Sequence, residues 1–189
     1  PNWEKLTAEA VSAMLDADEY WLRERAGLEL AGRGDPAIPE LKRILRDRDS
    51  TVAARRNSIW TLAKLKFSEA ADLIHEALLD PDPTVRQAAC NAISVTRTWQ
   101  SVAANQPAER DIELKRNKTI SGALAAIVRG DEPPVARQAA VALGSMAENR
   151  AIGAILGRLG RIENDRMLEH SLIYALIEID DPEKTKSGL

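Results

Sequence analysis

Small and aliphatic residues recur along this chain in one frame: apolar, Arg, two variable positions, small, two variable positions, small, aliphatic. The clearest copy runs from Val85-Arg86 through Ala89, Ala92 and Ile93. A second runs from Val135-Ala136 through Ala139, Ala142, Leu143 and Gly144, with Arg137 one place late. Earlier copies are Leu22-Arg23, Ala26, Leu30 and Ala54-Arg55, Ser58, Leu62, and a weaker last copy is Leu168, Leu172, Ala175, Leu176. Small residues three and seven apart share one helical face, so each copy predicts a helix that a neighbour can approach closely. The closing aliphatic positions Leu30, Leu62, Ile93, Leu143 and Leu176 are spaced by 32, 31, 50 and 33 residues.

A second apolar stripe follows each copy. It comprises Ile38, Leu41 and Leu45; Leu73, Ala77 and Leu78; Ile120, Leu124 and Ile127; then Ile152, Leu156 and Leu159. Turn-forming strings separate the helices: Gly32-Arg33-Gly34-Asp35-Pro36, Asp80-Pro81-Asp82-Pro83 and Gly130-Asp131-Glu132-Pro133-Pro134. Asp before a helix and Pro in its first turn are start signals. No stretch alternates with period two, so no sheet is expected. A two-helix unit of about 32 residues cannot bury its own apolar faces and must stack on its neighbours.

The string Asp82-Pro83-Thr84-Val85-Arg86, leading into Gln87-Ala88-Ala89, resembles the HEAT repeat family, in which Asp-x-x-Val-Arg opens an Ala-rich first helix. The resemblance implies an all-α fold, a right-handed α-α superhelix of about four full helix pairs and a truncated fifth. As one domain over 1–189, its repeats fall at 16–47, 49–79, 82–129 with an insertion at 97–117, 132–161 and 164–180. It also implies that Asp82 and Arg86, with Arg55 and Arg137, tie adjacent repeats together. Trp21-Leu22-Arg23-Glu24-Arg25-Ala26 and Ser58-Ile59-Trp60-Thr61-Leu62 are similar to the HEAT segment of planctomycete-type multidomain proteins, which join dehydrogenase, helical-repeat and cytochrome modules.

Charged residues make up 29% of the chain with a net charge of only -3, which argues against a nucleic-acid partner. Cys90 is the single cysteine, so no internal disulfide forms, and no Cys-x-x-Cys-His is present to hold a haem. No apolar run reaches the roughly 20 residues needed to cross a bilayer, so membrane insertion is not expected. The chain opens on Pro1 and ends, just past its last expected helix, with Thr185-Lys186-Ser187-Gly188, and reads as an excised or processed segment. Its compartment stays open between cytoplasm and, with the multidomain resemblance, periplasm. His75-Glu76 and Glu169-His170 hold the only two histidines, too few to converge on a metal, and no phosphate loop or nucleophile motif appears. No catalytic residue, metal or cofactor is therefore expected.

Function is expected on surfaces. In this family the second helices line the concave side, and here they carry Arg43 and Arg46, then His75 beside Asp72 and Glu76, then Lys115 and Lys118, then Arg150, Arg158 and Arg161. The signs run positive, negative, positive, positive, which suits a protein partner or neighbouring domains of the parent chain. The insertion adds Trp99, as a binding loop or as cover on a longer helix pair. A purely structural spacer is the second reading. A glycosylase-type nucleic-acid enzyme is the third, and it requires an exposed Trp in a basic groove, whereas Trp21 and Trp60 are expected to pack between repeats. The truncated last repeat is expected to leave Leu172, Ile173 and Leu176 partly uncovered, giving weak self-association through that end.

Overall fold

The computed structural model describes residues 1–65, 68–103, 107–161 and 165–188, with side chains at all of these except 68, 97–103 and 107–114. Among the described residues there are α- and 3-10 helices and no strands. The α-helices are α1 (Ala8–Ala13), α2 (Tyr20–Arg33), α3 (Ile38–Arg46), α4 (Val52–Leu62), α5 (Ser68–Glu76), α6 (Pro83–Ala103), α7 (Pro107–Gly130), α8 (Pro133–Ser145), α9 (Ile152–Leu159), α10 (Arg166–Ile179) and α11 (Pro182–Ser187). The repeating frame lies on α2, α4, α6, α8 and α10, and the second stripes on or running into α3, α5, α7 and α9. The chain divides into two compact units, Pro1–Ala92 and Ile93–Leu189, with α6 running through the boundary.

Helix starts follow the local chemistry. Thr7, Thr51, Asp165 and Asp181 cap α1, α4, α10 and α11 by accepting the N–H of Ala10, Ala54, Leu168 and Lys184. Pro opens α6, α8 and α11, where its missing N–H costs nothing. Gly34 ends α2 at a φ of 70°, a conformation glycine adopts without strain.

In the first unit α2 packs on α4, α3 packs on α4 and α5, and α1 packs on α2 and α3. Leu15, Leu30, Leu41, Ile59, Leu62 and Leu73 are fully buried there. α1 was not among the expected elements, though Thr7-Ala8-Glu9 ahead of Val11 and Leu15 is its signal. In the second unit α7 packs on α8 and α9, α8 on α10, and α9 on α10 and α11, around Leu124, Leu143, Ile155 and Leu172. The extra residues of the third pair lengthen α6 and α7 into helices of 21 and 24 residues. The side chain of Trp99, and Asn164 at the expected start of the last repeat, lie outside the described residues. Thr185-Lys186-Ser187, read from sequence as lying past the last helix, belongs to α11.

The recurring Arg of the first helices has a definite task. Arg23 Nη1 donates to the carbonyls of Ala17 and Asp18 at 2.6 and 2.8 Å, and Arg86 Nη1 donates to those of Asp80 and Pro81 at 2.9 and 3.0 Å. Arg55 Nη1 reaches the Ser50 carbonyl in the same way. Each guanidinium thus hooks back five or six residues onto loop carbonyls that no helix satisfies, which suits its fork of donors. Arg55 does more. Its Nε and Nη2 donate to the Asp80 carboxylate at 2.8 and 3.2 Å, tying α4 to the loop before α6, and both side chains are under a tenth exposed. Asp82 accepts the N–H and hydroxyl of Thr84 and starts α6. Those bonds, the Thr84 hydroxyl foremost and the Arg55 charge last, hold its carboxyl below the usual range against the opposing effect of burial. Arg137 is half-buried and makes no such hook, because Ala136 occupies the equivalent position.

Helix α8 ends with Ala147 N–H donating to Gly144 O at 2.8 Å and Glu148 N–H to Leu143 O at 3.2 Å, the paired bonds of a Schellman ending. The left-handed position falls on Ala147, with a φ of 49°.

Two measurements follow. Asp80→Ala leaves the buried Arg55 unpaired and is expected to lower unfolding stability in urea by about 3 kcal/mol, most of which returns when Arg55→Met is added. Ala147→Gly relieves a left-handed alanine and is expected to raise stability by about 1 kcal/mol in the same titration.

Candidate protein-binding surface

The charged face of the first unit is built on α3 and α5. Ile38, Leu41 and Ile44 turn inward, which leaves Lys42, Arg43 and Arg46 outward. On α5, Leu73 and Ile74 are buried, leaving Glu69, Asp72 and Glu76 exposed and His75 half-buried. The two rows meet. Lys42 Nζ donates to Glu69 at 3.0 Å, and Arg46 forks onto Glu76 at 3.0 and 2.7 Å. The Arg46 bond, with its charge and that of Lys42, holds the Glu76 carboxyl below the usual range, and the same bond raises Arg46. Arg43 pairs with Glu40 on its own helix at 3.1 Å. The acidic second helix in that order of signs is therefore the counter-charge of its basic neighbour. Exposed pairs of this kind contribute under about 1 kcal/mol each, but they fix side-chain positions and leave little net charge to present.

A groove of about 260 Å³ sits beside this face, lined by Leu45, Arg46, Arg55, Glu76, Leu79 and Asp80 among others. Leu79 is 81% exposed.

In the second unit two of the arginines expected at a partner surface are engaged within the chain. Arg158 is buried, and its Nη1 donates to the Arg129 carbonyl at 3.2 Å, so it closes the end of α7 and is not offered to a partner. The reason is register, since Arg158 shares the inward face of α9 with Ala154 and Ile155. Arg150 is exposed but engaged. Its Nε donates to the Glu148 carboxylate at 2.9 Å, and Ser121 Oγ donates to the same carboxylate at 2.6 Å. Burial pushes the Glu148 carboxyl upward, but the Ser121 and Arg150 hydrogen bonds and the Arg150 charge outweigh it and bring it below the usual range. Lys115, Lys118 and Arg161 are exposed.

Aromatic placement also departs from expectation. Trp60 is half-buried, but Trp21 is 60% exposed. The inward face of α2 carries Ala26, Gly27 and Leu30. Trp21 stands nine positions before Leu30, which at 100° per residue is half a rotation away. Leu28, seven positions after Trp21, falls on the same outward line and is 53% exposed. Arg25 lies between them, with its guanidinium over the Trp3 ring at 5.7 Å. At the other end of the chain Leu172 is fully buried, contrary to expectation, while Leu176 is half-buried and Ile173 exposed. Charge-based reasoning missed Trp21, Leu28 and the α10 residues Met167, Tyr174 and Ile177. The available signal was apolar side chains off the inward stripe of a helix.

Among the described residues no group of three or more His, Cys, Asp or Glu side chains gathers as a metal site, and no helix is long and apolar enough to cross a membrane.

Residues 7–94 match the family model of HEAT repeats. No curated protein matches the chain. Among solved structures the chain is similar to the complex of CpcE and CpcF of phycocyanin lyase from Nostoc sp. PCC7120, with a TM-score of 0.69 and 19% identity over 89% of this chain and 96% of that one. It is also similar to a computationally designed armadillo repeat protein for modular peptide recognition, with a TM-score of 0.54 and 14% identity over 92% of this chain and 82% of that one. An engineered protein matches with a TM-score of 0.52 and 20% identity over 92% and 81% of the two chains. The fold is thus of the HEAT/armadillo-like α-α repeat class, as expected from the sequence.

A carboxyl held below its usual range stabilises the fold above its unfolded pKa, and that contribution is lost as pH falls through the folded one. Wild type minus Glu148→Gln, followed by urea unfolding, is therefore expected to give a difference that is constant above about pH 5 and shrinks below the ordinary glutamate value near 4.5.

Proposed function

We propose that this helical-repeat chain, with HEAT repeats over residues 7–94, is a protein-binding scaffold without a catalytic site of its own, and that the outward line of α2 is a contact surface of its first unit. The observation that carries this reading is the exposure of Trp21 and Leu28, two turns apart on a helix whose other face is locked in the core. Trp and Arg dominate the energetics of protein contacts, and here Arg25 stands between the two apolar residues with its direction fixed by Trp3. Fold class supports the same reading. HEAT and armadillo-like repeats commonly serve as interaction scaffolds, one neighbour was designed for peptide recognition, and another is part of a two-protein complex. The low net charge and the paired ladder on α3 and α5 favour a protein partner over nucleic acid.

A structural spacer is the second reading, favoured by the internal pairing of Lys42, Arg46 and Arg150, which uses charge to hold the array together. Affinity capture from the source cell separates the two. With the chain as bait and Trp21→Ala/Leu28→Ala as its control, a scaffold is expected to retain a partner that the variant loses by roughly 30-fold, while thermal melts of the two baits coincide. Identical recoveries from both baits would favour the spacer.

A further inference from the structure

The repeat register identifies the outward face of α10. Taking Leu30, Leu62, Ile93, Leu143 and Leu176 as equivalent, the position three before them holds Gly27, Ile59, Cys90, Ala140 and Ile173. The position one after holds Ala31, Ala63, Ser94, Gly144 and Ile177. In the first four repeats the former is buried and the latter half-buried or buried. In α8 this is the side that meets α10, where a side chain at Gly144 would come within 3.0 Å of Ala175 Cα. In α10 both positions carry isoleucine, and Ile173 and Ile177 are 46% and 65% exposed, beside exposed Met167 and Tyr174. The side that repeats use for stacking is therefore open on α10, and at the second of these positions it is bulky where the earlier repeats are small. Ile177 would hold an arriving helix at the wide end of helix separations, so the face suits interdigitating side chains more than the close stacking of one more repeat.

Charge along the same line decides the occupant. Arg166 and Ile173, seven apart, share one line of α10, and Asp180, seven further on, is its left-handed C-cap, which sets the two charges about 10 Å either side of Ile173 along the axis. Both are exposed, and neither is in an ion pair among the described residues. Asp180 and Asp181, with Lys186, rim a groove of about 450 Å³ whose apolar floor includes Ile173, Leu176 and Ile177. A row reading cation, apolar, anion complements itself when a copy is turned end over end. The geometry points to a second copy of this chain as the partner of α10, docked antiparallel about a two-fold axis through Ile173, with each Arg166 beside Asp180 of the other copy. Such an interface is isologous, so each favourable contact is made twice. One helix face is a small interface, which sets a weak dimer.

Sedimentation equilibrium between micromolar and millimolar concentration tests this. The wild type is expected to dimerise with a Kd under about 1 mM. Ile173→Asp, at an exposed site, is expected to leave only monomer. Arg166→Glu is expected to weaken the dimer about tenfold, since two symmetric pairs become repulsive, and adding Asp180→Lys should restore it to within about threefold. Circular dichroism melts establish that each variant is folded, and the charge swap remains a test should Ile173→Asp fail to fold. A wild type that stays monomeric at 1 mM, a dimer that tolerates Ile173→Asp, or a charge swap that does not restore association would overturn the assignment.

Discussion

Within each unit one pair of first helices, α2 with α4 and α8 with α10, approaches so closely that a glycine at the contact has no room for a side chain, and much else follows from that constraint. A Cβ on Gly27 would lie 3.1 Å from Thr61 Oγ1 between α2 and α4, and one on Gly144 would lie 3.0 Å from Ala175 Cα between α8 and α10. Helices held this near bury Leu30, Leu62, Leu143 and Leu172 completely. Dispersion and hydrophobic burial both fall off steeply when such a spacing opens, so the small residues set the stability of the array although they bury little area themselves.

Tight stacking shortens the loops, and short loops expose carbonyls that no helix accepts. The arginine hooks answer that need. Arg23, Arg55 and Arg86 each reach back over the turn that precedes their own helix, and Arg55 also holds the Asp80 carboxylate of the next turn. The α8 ending meets the same need through the backbone, at the cost of a left-handed alanine. The motif that looks like a charge signature in the sequence is in this sense a device for satisfying loop carbonyls.

Pairing also changes where recognition is expected. Lys42, Arg46 and Arg150 are engaged within the chain, and Arg158 is buried. Large apolar side chains stand exposed instead at Trp21 and Leu28 on α2 and along Ile173 and Ile177 on α10. Both lie on first helices, whereas the signs of the charges had directed attention to the second.

The sequence by itself determined the element order and the register. Small residues at fixed spacing and proline-aspartate turns are local features, and helix periodicity converts them directly into faces. It therefore placed α2 to α10 and the inward residues of each first helix, and it showed that charge is nearly balanced. Tertiary structure alone decided which charges find each other. Arg46 and Glu76 are 30 residues apart, and nothing local tells that their helices bring them to 2.7 Å. It alone decided that Arg158 turns inward to the Arg129 carbonyl, and that Trp21 stays in solvent although its helix buries Ala26, Gly27 and Leu30. A helix has one face toward the core and several others, and only the packed neighbours determine which of those others are covered.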